Sequence, residues 1–156
     1  MQLKYGKVKF GYKDSWSAEP ILPEIIADWL TNFRKVLVDK QDNDFIGCPH
    51  RVMITVYPNK TDFNYTDEQV KQGLVKWIEM IDTMIYAFRN EEPDHEFKWV
   101  DGPEHNRVDD RGLIRWNKIP DDESAYNVWK EQCEQHRQKV ELGRKLFAEY
   151  YDNLWW

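Results

Sequence analysis

The run Thr66-Asp67-Glu68-Gln69, followed by Val70, Leu74, Trp77, Ile78, Ile81, Met84, Ile85 and Phe88, constrains the fold more than any other part of the chain. Thr and Gln three positions apart form a capping box, in which each side chain satisfies a backbone donor left open by the first helical turn. The apolar residues then recur every three or four positions, which is one face of a 3.6-residue period. This spacing predicts a helix over about 66–88 with a stripe too wide to leave in water. The rest of the chain must therefore supply elements that cover it.

Two more segments share the period. Leu22, Ile25, Ile26, Trp29, Leu30, Phe33, Val36 and Leu37 predict a helix over about 20–38, with Pro20 and Pro23 in the first turns, where a missing N–H costs little. The cluster Asp14-Ser15-Trp16-Ser17 ahead of it is cap-like. From Asp121 onward, Tyr126, Trp129, Cys133, Val140, Leu146, Phe147, Tyr150, Tyr151 and Leu154 fit one long helix or two stacked ones. Gly143 there marks a close helix contact or a bend. Strand signals are fewer. Leu3, Tyr5, Val8, Phe10 and Tyr12 alternate around glycines as a short strand or hairpin edge, and Val52–Tyr57 is a β-branched run that reads as its partner strand.

Asp39–Pro49 is turn-rich, and residues 90–119, with Pro93, Gly102, Pro103 and Gly112 among many charges, read as a long irregular connection. The fold class is mainly α. A three-helix core carries a small antiparallel β-hairpin or two-stranded sheet and the long connection, within a single globular domain over 1–156.

The aromatic fraction of 15%, with eight Trp, suits a core built from large rings. A net charge of −6 argues against general nucleic-acid binding, which needs a basic face. Lys4, Lys7, Lys9 and Lys13 are the one basic stretch and read as a solvated strand face. No apolar run approaches the roughly 20 residues of a membrane span, and the lysine-studded start lacks the apolar region of a signal peptide. Cys48 and Cys133 lie far apart, as reduced thiols of a cytoplasmic protein do.

Three segments carry a resemblance. They are Asp14-Ser-Trp-Ser17 with Ile21-Leu-Pro23 and Asn32-Phe-Arg34, then Trp77 to Phe88 (WIEMIDTMIYAF), then Leu142 to Trp156 (LGRKLFAEYYDNLWW). In this order they resemble a family of small tailed-bacteriophage proteins marked by "MIxAF … LFxxYYxxLW". The likeness covers about half the chain and leaves out 39–62 and 90–125. It implies a phage product acting in the cytoplasm of an infected host, and it brings no catalytic residues with it.

Signatures of catalysis are missing. The chain has no phosphate loop, no Gly-x-Gly-x-x-Gly, no His-Glu-x-x-His and no Gly-x-Ser-x-Gly, and its two cysteines form no Cys-x-x-Cys. No catalytic residue, metal site or cofactor is therefore assigned. His95 and His105 stand among acids without metal-ligand spacing, and His50 and His136 read as surface residues. Asp82 borders the apolar stripe and needs a cation, for which Arg137 or Arg144 are candidates.

The candidate ligand-binding residues are Arg89, Lys98, Trp99, Arg107, Arg111, Arg115 and Trp116, most of them in the long connection. Indoles stack on bases, guanidinium forks clamp phosphates, and both residue types also anchor protein interfaces. The first expectation is a non-enzymatic protein that sequesters a small anionic, nucleotide-like signal as a counter-defence. The alternative is a protein that docks on and inhibits a host protein, and a metal-dependent hydrolase ranks third. Trp155 and Trp156 need cover, which a second subunit or the body of the domain could give.

Overall fold

The capping box forms as the sequence requires. The Thr66 hydroxyl accepts from the Gln69 amide at 3.3 Å, and the Gln69 side chain accepts from the Thr66 amide at 3.0 Å. In the computed structural model, which describes residues 2–4, 7–9, 18–39 and 48–154, this box opens the helix α3, Asp67–Arg89. Before it come the strands β1 (Gln2–Lys4) and β2 (Lys7–Lys9) and the helices α1 (Ala18–Asp39) and α2 (His50–Val56). After it come β3 (Trp99–Asp101), β4 (Lys118–Pro120), the helix α4 (Glu123–Tyr150) and a 3-10 turn over Tyr151–Asn153. β1 pairs with β2 antiparallel, Leu3 opposite Val8, and β3 pairs with β4, Val100 opposite Ile119. The protein is mainly helical, as its periodicity predicts, with small two-stranded antiparallel sheets.

The chain divides into two compact units, residues 1–90 with 139–156, and residues 91–138. The first holds the main core. Leu30, Phe33 and Leu37 of α1, Val52 of α2, Leu74, Trp77, Met80, Ile81 and Met84 of α3, Tyr150 and Leu154 are buried together. The Trp77 ring is the centre of this cluster, edge-on to Phe33 at 6.5 Å and tilted against Tyr150 at 5.6 Å. Removing so large a buried ring costs about 3–5 kcal/mol. Phe88 and Phe147 meet edge to face at 4.8 Å. Gly143 is a close contact rather than a bend, because a Cβ there would overlap the carbonyl oxygen of Thr83 and the methyl of Ala87.

Two local expectations are overturned in this unit. Val52–Tyr57 is not a strand paired with the N-terminal one. His50–Val56 is helical, with Pro49 accepting from the amides of Val52 and Met53 at 2.9 and 3.1 Å. A short β-branched run does not distinguish strand from helix, and here the burial of Val52 and Met53 against the core decides. Asp82 pairs with Arg34 of α1, not with Arg137 or Arg144, in a two-pronged contact whose longer arm is 3.0 Å. α1 is the helix most extensively packed on α3, so its guanidinium lies within reach. The bond to Asp82 pushes the Arg34 guanidinium above its usual pKa.

The second unit is organised around Phe97, which is buried. His95, Trp99, Tyr126 and Trp129 surround its ring at centroid distances of 4.4 to 5.6 Å. The Trp129 indole N–H donates to the Pro93 carbonyl at 3.0 Å, fixing the ring. The connection read as irregular over 90–119 thus carries one strand and the start of another, and has an aromatic core of its own. The cap-like cluster Asp14–Ser17 and the pair Trp155 and Trp156 lie outside the described residues. Among the described residues no helix is long and apolar enough to cross a membrane.

Candidate functional site

Residues 99–120 form a hairpin arm in two rungs. The first rung is β3 with β4, extended by the Gly102 amide donating to Asn117 O at 2.9 Å. Its root is closed by a reciprocal pair in which the Lys98 amide donates to the Asp121 carboxylate at 2.7 Å and the Asp121 amide donates to Lys98 O at 2.9 Å. The second rung links Asn106–Val108 with Ile114–Arg115. There the Arg115 amide donates to Arg107 O at 2.7 Å, the Asn106 amide donates to Arg115 O at 2.9 Å, and Val108 bridges Ile114.

Between the rungs the chain turns back on itself through Pro103–Asn106, and His105 fills the gap. Its Nδ1 lies 3.1 Å from the Asn117 amide and 3.0 Å from the Asn117 carbonyl oxygen, and its Nε2 faces Asp101 Oδ1 at 3.4 Å. The His105 side chain is only 7% exposed, so it pins the two rungs together. At the tip, the Asp109 carboxylate accepts from the amides of Arg111 and Leu113 at 2.9 and 3.0 Å. Gly112 supplies the positive φ of 77° that the turn needs. The Leu113 amide first, and the Arg111 side chain second, hold the Asp109 carboxyl below the usual carboxylate range. A hydrogen bond from Lys118 does the same for Asp101.

The predicted site residues are distributed unevenly. Arg107, Arg111, Arg115 and Trp116 all stand on the arm. Trp99 sits at its root, half-exposed, with its ring against Phe97 and Tyr126. Lys98 supplies the backbone of the root closure. Arg89 ends α3 and belongs to the other unit. Every arginine of the arm has an internal carboxylate. Glu104 pairs with Arg107 at 3.4 Å and with Arg115 at 3.1 Å, and Asp109 pairs with Arg111 at 3.0 Å. Between 101 and 118 the sequence has four acidic and four basic residues, so the arm is neutral overall.

The arm also exposes residues that a charge-led reading passes over. Trp116 is 76% exposed, with its ring at a steep angle to the His105 ring at 5.4 Å, and Val108, Leu113 and Ile114 are each more than half exposed. The signal for them was present in the sequence, since Val108 and Ile114 flank a loop ending in Gly112-Leu113, the pattern of a hairpin tip. Four large apolar side chains on one short, hydrogen-bonded arm are a typical anchor set for a macromolecular interface.

Beside the root, Asp94, Glu96 and Asp122 line an open groove of about 510 Å³ with His95 and Trp129. Asp122 is already engaged there, capping α4 through the Ala125 amide at 3.0 Å. Among the described residues no three His, Cys, Asp or Glu side chains converge in a way that could hold a metal ion. No protein family, curated protein or solved structure matches the chain.

Proposed function

We propose that the chain is a non-enzymatic binding protein that docks on another protein through the apolar side of the arm, with Trp116 as the central anchor and Val108, Leu113 and Ile114 around it. The observation that carries this reading is their exposure on a segment held by its own backbone ladder and turn bonds. Such an anchor loses little conformational freedom on binding, because the arm is ordered beforehand. In an infected bacterium, the setting the phage resemblance implies, the partner is a host protein whose activity is blocked by occupation of its surface.

Sequestration of a nucleotide-like anion draws on the same Trp and Arg residues but has less support. A phosphate would have to displace Glu104 or Asp109 from the arginine forks, within an arm that has no net positive charge. A photo-reactive amino acid placed at 116 in the full chain tests the docking reading in bacterial lysate. A discrete cross-linked protein, lost when Leu113→Asp is added, is expected. A nucleotide that raises the melting temperature of the wild type and fails to do so with Arg115→Ala would replace docking by sequestration.

A further inference from the structure

The net charge of −6 is not spread over the chain. Residues 91–138 hold thirteen acidic and seven basic side chains, whereas the remaining residues hold fifteen of each. One compact unit therefore carries the whole imbalance, and the other is neutral. Within the charged unit the arm itself is balanced, four against four. The excess lies on the two stretches that flank its root, Glu91 to Lys98 and Asp121 to Gln138.

Four of these acids, Glu91, Glu92, Asp94 and Glu96, follow one another closely on an exposed run ending at the root. The two stretches are tied together there by the reciprocal bonds of Lys98 and Asp121. The result is an arm of zero net charge, bearing exposed apolar side chains, whose root is flanked by acidic stretches. Like charges this close repel one another unless a counter-charge approaches, and a negative surround also repels a second copy of itself.

We infer that the partner docked by the arm is a protein that presents an apolar recess rimmed by Lys and Arg, with its cations set against the acidic flanks. The inference rests on the docking reading above and goes beyond it by fixing the partner's chemistry. Charge complementarity selects this occupant over a second copy and over an acidic or neutral protein. The flanks act mainly on encounter. They raise the association rate and lose that effect as salt screens them, since the screening length falls from about 14 Å to about 6 Å between 50 and 300 mM salt. The apolar anchors act on dissociation and are insensitive to salt.

The test uses the full chain, immobilised, with bacterial lysate passed over it at low salt. Proteins retained by the wild type but not by Trp116→Ala are identified by mass analysis, purified, and their binding rates measured at 50 and 300 mM NaCl. The expected partner associates about ten-fold more slowly at the higher salt, with its dissociation rate nearly unchanged. A fourfold variant, Glu91→Gln, Glu92→Gln, Asp94→Asn and Glu96→Gln, should show the slow association already at 50 mM. All four positions are at the surface, so the variant should keep the wild-type circular dichroism and melting temperature.

A partner that needs Trp116 but associates at the same rate at both salts, and with the fourfold variant, overturns the inference while the docking reading stands. Concentration-dependent self-association that is lost with Trp116→Ala overturns it in favour of a second copy. No Trp116-dependent retention of any protein removes the docking reading and this inference together.

Discussion

Asp109 organises the tip of the arm with a single carboxylate, accepting two backbone amides and the side chain of Arg111. Replacing Asp109 with Ala should leave those amides open to water and free Arg111. Hydrogen exchange at Arg111 and Leu113 is expected to quicken by at least about ten-fold, with exchange in α3 unchanged. The same carboxylate sets a pH dependence. Asp109 and Asp101 both have folded-state pKa values below their usual range. Their stabilisation of the arm is therefore complete above the unfolded value near ~4 and is lost as pH falls through the depressed folded value. Backbone NMR shifts of Arg111 and Leu113, whose amides bond Asp109, should move as pH falls below about 4. The Arg34–Asp82 pair is a different case, exposed at 38% and 47%. A double-mutant cycle should give only about 0.2–1 kcal/mol of coupling, because solvent screens it.

At the scale of elements, the contact between α3 and α4 depends on Gly143 having no side chain. Gly143→Ala would gain about 1 kcal/mol of helix propensity. It would also press a methyl into the backbone carbonyl of Thr83, which cannot rotate away. Overpacking wins, and urea unfolding should show a net loss of about 1–3 kcal/mol. Gly73→Ala makes the contrast, since its Cβ meets the flexible end of Met53 and the Cys48 sulfur, and its loss should be smaller. Helices of this kind were legible in the sequence because their signals are local. Thr66 and Gln69 write the cap, and the stripe from Val70 to Phe88 repeats through about five turns. α2 was misread because Val52–Val56 has strand propensity and only its tertiary neighbours reveal it. β3 and β4 were missed because three-residue strands paired across sixteen intervening residues leave no periodic trace. The binding candidates were legible as residue types, and their partners were not. Nothing local tells that Glu104 will reach Arg115, or that His105 will occupy the gap at Asn117.

For the molecule as a whole, the proposed docking arm and the main core are carried by different stretches of chain. Replacing residues 103–116 with a two-residue Asn-Gly turn removes every anchor of the arm but no member of the Trp77 core. The near-ultraviolet circular dichroism bands of the Trp77 environment should survive that change, and all retention of partner protein should be lost. The division into units also bears on how the protein is made. Tyr150 and Leu154 are members of the first unit's core, yet 48 residues of the second unit are synthesised between them and Asn90. On the ribosome, the part of α3 that Tyr150 and Leu154 cover therefore stays open until the far segment emerges, although α1 and α2 are already made. Chaperones that hold nascent chains gain a window in which to bind it, and prematurely terminated products offer proteases an open bundle.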